Sequence, residues 1–227
     1  MPPSNFLTSL RKAFLTPTKA RKSYSQCAED LIAENYFKGK GIKKGFYVDV
    51  GSHHPRRGSN TYHFYKKGWR GILVDLEDVK VNAAKLARPG DTVVKAAVSD
   101  KIEPVQIFSQ GNFSTNTTIS QLVAQRGEGF HPIGEIETTT LTDILQEHGC
   151  NSHFEFLNID IEGNDLKALR GLNFSEFHPK LICVECWESE LGMDELIKND
   201  IYKYLSSNGY SLIGLSAPSA FFALSGL

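Results

Sequence analysis

Short apolar runs recur along this chain, each closed by a polar or glycine-containing stop, and they alternate with segments of helical spacing. Glu29 to Tyr36 carries Leu31, Ile32 and Tyr36 on one side and predicts a helix. The run at 45–50 predicts a first strand, and Asn60 to Lys67 a helix ended by Gly68. A second strand is expected at 71–75, then a helix from Glu77 to Ala87 stopped by Pro89-Gly90, then a third strand at 92–98. Val105 to Phe108 suggests another strand, followed by a polar loop, Gly111 to Asn116. Long polar loops inside compact domains are often functional. Leu141 to Glu147 predicts a helix capped by Thr140. Strand four is expected at 154–160, a short helix from Asp165 to Leu169, and strand five at 181–186. A helix near 194–206 and two last runs, 209–214 and 220–224, complete the pattern.

Strands alternating with helices predict an α/β fold with a doubly wound, mainly parallel, seven-stranded sheet. The last two runs have no long helix between them, so an antiparallel hairpin is expected at one edge.

The first apolar run ends in Asp49-Val50-Gly51-Ser52, and the second, Gly71-Ile72-Leu73-Val74, ends in Asp75. A glycine turn after the first strand, with an acid at the tip of the second, is the layout of a nucleoside-binding sheet. A dinucleotide turn needs a second glycine so that backbone can approach a diphosphate, and here that position is His53. S-adenosylmethionine (SAM) has no diphosphate, so the turn reads as a Rossmann-like SAM pocket before a nicotinamide one. Asp75 is expected to accept from the ribose hydroxyls, with Asp49, Gly51 and Ser52 beside the ligand. Ser59, Asn60 and Thr61 open the next helix, where free amides and the helix dipole favour an anion such as the methionine carboxylate. Ala97 and Val98, small residues ending strand three, leave room for adenine.

Asp160-Ile161-Glu162-Gly163-Asn164 follows strand four at the centre of the expected cleft. Asp160 is a candidate both for the cofactor and for catalysis. His53 and His54 lie just past Gly51, where a base near pH 7 would help remove a hydroxyl proton. Asp160 and Glu185, at adjacent strand ends, are the candidates for a divalent metal, a thin set for an oxygen-ligated ion. Arg56-Arg57 and the 112–116 loop are candidates for an acceptor wall.

Composition narrows the class. The 227 residues, 41% hydrophobic and 22% charged, suit one soluble domain. Residues 1–22 form a basic arm, with no acid before Glu29, ahead of a domain spanning 23–227. Phe6, Leu7, Leu10 and Phe14 have helical spacing in that arm, which reads as packed on the domain or mobile, with a membrane surface or partner as the alternative. It lacks the features of a secretory signal, so a cytoplasmic enzyme is expected. The formal net charge of -1 argues against a nucleic-acid partner. No apolar run reaches the roughly 20 residues of a transmembrane helix. Four cysteines make no disulfide framework, and Cys183-Cys186 reads as core rather than as a redox or zinc pair.

Taken in order, these pieces resemble the FkbM family of SAM-dependent methyltransferases. Tyr24-Ser25-Gln26 with Glu29-Asp30-Leu31, the run Gly45 to Pro55, Ser59-Asn60-Thr61, Phe64 to Gly71, Thr140 to Leu145, Asn158 to Gly163 and Lys180 to Cys186 carry the resemblance over roughly 24–224. It implies a class I methyltransferase fold, SAM as donor, and methyl transfer to a hydroxyl, often of a sugar, a glycan or a glycosylated small molecule. One departure is Asp75 in Val-Asp-Leu-Glu-Asp, where many relatives follow the acid with proline. Two other readings remain: an NAD-dependent oxidoreductase on a related sheet, and a glycan-binding protein without turnover.

Overall fold

A computed structural model describes residues 8–9, 11, 20–109, 116–117, 129–186 and 193–226. In chain order these form α1 (Glu29–Gly39), β1 (Phe46–Val50), α2 (Tyr62–Lys66), β2 (Arg70–Asp75), α3 (Asp78–Ala87), β3 (Thr92–Lys95), β4 (Ala97–Val98), β5 (Pro104–Ser109) and β6 (Asn116–Thr117). Next come β7 (His131–Thr139), α4 (Leu141–Glu147), β8 (His153–Ile159), α5 (Asp165–Arg170), β9 (His178–Glu185), α6 (Met193–Lys198), α7 (Asp200–Ser207), β10 (Tyr210–Ser216) and β11 (Ser219–Leu224).

Seven strands make the main sheet in the order β10-β11-β9-β8-β1-β2-β3. The five from β9 to β3 run parallel, and β11 enters antiparallel between β9 and β10. The expected hairpin therefore exists, with β10 alone at the edge. Central strands are apolar on both faces because helices cover both. On one face Phe37, Phe64 and Trp69 pack with Tyr47, Leu73 and Phe156 under α1 and α2. On the other, Leu141, Leu145, Leu169 and Leu205 pack on Val48, Val50, Leu157 and Ile182. The chain order crosses from one flank of β1 to the other between β3 and β8, so the switch point lies at the carboxyl ends of β1 and β8.

Three expectations need correction. The single strand at 92–98 is two: β3 stays in the main sheet, while β4 leaves it to pair in parallel with β7. The helix at 194–206 breaks at Asn199, whose side chain accepts the Ile201 amide at 2.8 Å and caps a new helix. A second sheet, β4-β7-β5-β6, was not expected at all. Its long strand β7 is mostly exposed and contains Pro132 and Gly134, so it carries little hydrophobic alternation. The amphipathic arm residues Phe6, Leu7, Leu10 and Phe14, and residues 111–115 of the polar loop, lie outside the described residues. Cys183 and Cys186 are buried free thiols; burial pushes Cys186 up to about 12, as befits inert core residues.

Candidate active site

At the switch point the chain leaves β1 and doubles back over the end of β2. The Val74 carbonyl accepts both the Gly51 amide at 2.9 Å and the Ser52 amide at 3.1 Å. Beside it the Asp160 amide donates to the Val50 carbonyl at 2.9 Å. The tips of β1 and β8 are thus in contact, and a Cβ on Gly51 would stand 1.8 Å from the Asp160 carbonyl oxygen. Gly51 also has φ +82°, a conformation that glycine adopts freely.

Asp75, the last residue of β2, is 7% exposed. Its Oδ2 accepts the His53 amide at 2.8 Å, and its Oδ1 accepts the Glu77 amide at 3.1 Å. Burial raises its pKa, while the Lys80 ammonium opposes that rise. Asp49 sits one residue from the end of β1, and both its oxygens are engaged. Oδ2 accepts from Thr61 Oγ1, and Oδ1 accepts from Asn158 Nδ2 at 2.9 Å. Asn158 Oδ1 in turn accepts from Asn60 Nδ2 at 2.9 Å.

Behind this row lies Arg88, with no solvent exposure. Its Nε donates to the Pro55 carbonyl at 2.7 Å, Nη1 to Thr61 Oγ1 at 2.8 Å and Nη2 to Ser59 Oγ at 2.6 Å. One guanidinium therefore ties residues 55–61 together, and its charge opposes the burial that raises Asp49. The helix-entry expectation is corrected here. The Thr61 and Tyr62 amides already donate to Ser59 Oγ, at 3.4 and 3.1 Å, and α2 has only five residues. Thr61 is fully buried and does not line the cavity.

The cavity has a volume of about 690 Å³. Asp49, Gly51, Ser52, His53, His54, Ser59, Asn60, Asp75, Ala97, Val98 and Asp160 all line it. Glu185 is not among the described residues on its surface. Gln26, Arg57, Lys80, Asn158 and Asn164 line it too, and sequence reasoning had assigned them no site role, apart from Arg57 in the acceptor wall. A signal existed for Gln26 and Asn158, which stand inside the motifs that carried the family resemblance. Gln26 arrives because the 23–26 segment is held down: Asp30 accepts from Ser23, Ser25 and the Tyr24 amide, and the Tyr24 carbonyl accepts the Ser59 amide at 3.0 Å. Arg56 does not line the cavity, whereas Arg57 does.

His53 and Glu162 both line the cavity and both adopt left-handed conformations, φ +46° and +56°. Strained non-glycine backbone of this kind concentrates at functional sites. The two histidines differ chemically. His54 Nδ1 accepts the Arg56 and Arg57 amides, each at 3.0 Å, so its lone pair holds the loop. His53 is exposed on the cavity wall; partial loss of solvent and the Lys80 charge lower its pKa, keeping it neutral at pH 7.

Asp160 is exposed on the cavity lining, and it accepts a hydrogen bond from Glu185. Burial is the main cause that raises both acids; the Asp165 charge raises Asp160 further while the hydrogen bond from Glu185 opposes that rise, and the Asp160 charge raises Glu185. Two such carboxyls share one proton near neutrality. Asp165, buried and off the cavity lining, accepts the Ile161 amide at 3.2 Å and the Gly163 amide at 2.9 Å, which fixes the turn carrying Asp160. Among the described residues no group of three or more His, Cys, Asp or Glu could hold a metal ion.

Comparison with known proteins gives one family. The model of the methyltransferase FkbM domain matches residues 49–212. No curated protein matches the chain. Among solved structures, a TehB-like SAM-dependent methyltransferase from Corynebacterium glutamicum is similar at 12% identity and a TM-score of 0.42, covering 97% of each chain. The 1,6-didemethyltoxoflavin-N1-methyltransferase of Burkholderia thailandensis, with S-adenosylhomocysteine bound, is similar at 11% identity and 0.44, over 99% of this chain and 91% of its own. An O-methyltransferase from Bacillus cereus, in complex with S-adenosylhomocysteine (SAH), is similar at 9% and 0.43, over 97% and 89%.

Proposed function

This chain belongs to the FkbM methyltransferase family and takes its methyl group from SAM, and on that premise we propose that it methylates a hydroxyl of a sugar, a glycan or a glycosylated small molecule. The nicotinamide reading falls with that membership. The observation that carries the hydroxyl reading is Asp160 on the cavity lining, hydrogen-bonded by Glu185 from outside that lining, with neutral His53 on the wall. A hydroxyl is a weak nucleophile and needs a proton acceptor as its bond to the methyl carbon forms.

The residues present fit the donor. The cavity lies within the roughly 300–1,000 Å³ of small-molecule sites. Asp75 is assigned the ribose hydroxyls, with Gly51 giving the close backbone approach. Ala97 and Val98 are assigned the adenine, and Ser52, Ser59 and Asn60 the remaining polar edge. Asp49 and Asn158 support that edge from below, because their own polar atoms are largely committed to each other. SAM supplies an electrophilic methyl on a sulfonium. The chain holds the acceptor oxygen in line with that methyl and keeps water out, which accounts for much of the expected acceleration. Asp160 takes the hydroxyl proton, and Glu185 positions it. His53 is the second candidate base. His54 holds the loop instead, since its lone pair is engaged.

The test is product analysis after incubation with SAM and matched panels of glycosides and amines. The expected product carries a new O-methyl group by mass spectrometry and NMR. Asp160→Asn is expected to lower kcat by about 10²–10⁴ while leaving SAH affinity in place. An N-methylated product overturns the hydroxyl reading. SAH binding without turnover on any hydroxyl favours the non-catalytic alternative.

A further inference from the structure

The formal charge of -1 conceals two opposed parts. Residues 1–74 contain fourteen Lys and Arg against four acids, and residues 75–227 eleven against twenty-two. All four acids of the first part are buried: Glu29, Asp30, Glu34 and Asp49 are each under 5% exposed. All eleven Lys and Arg between 21 and 74 are exposed. This stretch of the surface therefore presents cations and no exposed acid.

The contacts show that many of these cations share one face. Arg21, Lys38 and Lys67 converge on the single buried carboxylate of Glu34. Lys22 and Lys66 stand over the Tyr24 ring at 5.2 and 5.3 Å. Tyr24 meets Tyr62 edge-on at 5.0 Å, Tyr62 stacks on Tyr65 at 6.1 Å, and Arg70 covers Tyr65 at 4.9 Å. Three cations are thus set around Glu34 and three more around a row of three partly buried tyrosines, all contributed by α1, α2 and the segments beside them. One carboxylate neutralises only part of that charge. Placement at the ends of α1 and α2 serves the helix dipoles, but it does not call for acids to be excluded from the whole stretch.

We infer that this face docks the enzyme on a membrane surface rich in anionic phospholipid. Two independent observations favour lipid over other polyanions. The tyrosines and the stems of Lys and Arg form an amphipathic belt of the kind that sits at a headgroup boundary. The sequence that leads into the belt, through Arg21 and Lys22, has Phe6, Leu7, Leu10 and Phe14 at helical spacing with Arg11 and Lys12 between them. That basic amphipathic pattern in the sequence and the basic face are two attachment signals, and stable peripheral anchoring needs two. The docking is peripheral, since no described helix is long and apolar enough to cross a membrane. The proposal does not rest on the identity of the acceptor.

The test is sedimentation of the full chain with vesicles of phosphatidylcholine alone, or of phosphatidylcholine with 30% phosphatidylglycerol (about a third anionic, enough for a strong surface potential). Binding is expected only on the anionic vesicles and is expected to fall steeply as salt is raised. A Lys22→Glu, Lys38→Glu, Lys66→Glu variant reverses three exposed charges of this face, none of them on the cavity lining. Its partitioning is expected to drop by roughly a hundredfold or more, each cation near the surface counting for about fivefold. SAH affinity and melting temperature are the controls and are expected to stay near wild type. Equal binding to both vesicle types, or no binding to either, overturns the proposal. Tighter binding to a single-stranded RNA oligomer than to anionic vesicles at the same salt also overturns it and assigns the face to nucleic acid.

Discussion

Arg88 holds a full positive charge with no solvent exposure, and three of its donors are spent on the loop that forms one cavity wall. Nothing in the local sequence marks it; a lysine-rich helix ending in Arg-Pro-Gly reads as an ordinary surface stop. Arg88→Met would strip the counter-charge from buried Asp49 and leave Ser59 and Thr61 without their donor. Loss of one partner from such a network costs about 3–5 kcal/mol, so urea denaturation is expected to show that drop. Asp75 tells the opposite story, since a strand-tip acid was legible from spacing alone. Asp75→Ala is expected to weaken SAH by roughly tenfold to a hundredfold, the loss of about 1.5–3 kcal/mol from charged hydrogen bonds, measured by calorimetry. Unchanged affinity would move the ribose contact elsewhere. Asp49 lies between these cases. Its place at the end of β1 was readable, but its engagement by Thr61 and Asn158 depends on residues 12 and 109 positions away.

Elements with a strong local signal are placed as the pattern predicts, within a residue or two. The helix of α4 is the plainest case: Thr140 Oγ1 accepts the Asp143 amide at 3.1 Å, as a cap at that position should. Thr140→Ala is expected to cost about 1 kcal/mol in urea denaturation, with SAH binding unchanged. The second sheet had no such signal. Strand β7 exposes most of its residues and owes its existence to pairing with β5 over Pro104–Ser109 and with β4. That pairing is long-range, so neither propensity nor alternation along 131–139 announces it. The split of strand three follows from the same sheet, because β4 finds its partner there rather than beside β2.

Across the whole molecule, acids with raised pKa gather under the cavity. Asp165 is raised to about 6, chiefly by burial; Asp160 is raised by burial and by the Asp165 charge, and Glu185 by burial and by the Asp160 charge. A folded pKa above the unfolded one gives stability that is complete below the unfolded pKa and is lost as pH rises through the folded value. His53, His54 and His63 are lowered, chiefly by burial, so their contribution is lost as pH falls through the folded value. The melting temperature is therefore expected to peak on the acid side of neutrality and to fall between about pH 6 and 9. Glu185→Gln, which removes one of the titrating acids, is expected to flatten that fall. A melting temperature that climbs over the same interval would contradict the shared-proton reading. Charge is uneven at this scale as well, and the bulk value of -1 is silent about it.

Sequence by itself determined the order of the main-sheet strands, the parallel sheet, the glycine turn and the two strand-tip acids. Each of these is written in neighbours a few residues apart, through apolar period, caps and breakers. Tertiary structure alone decided which polar groups meet. It joined Asp160 to Glu185, brought Gln26 from the segment before α1 to the cavity, buried Arg88 behind Asp49 and gave the Ser59 hydroxyl to amides that had looked free. It also buried every acid of the first 74 residues and left the cations between 21 and 74 outside. The physical reason is common to all of these. Hydrogen bonds, shared protons and burial depend on distance in space, and a chain's spacing encodes that distance only within a helix turn or a strand.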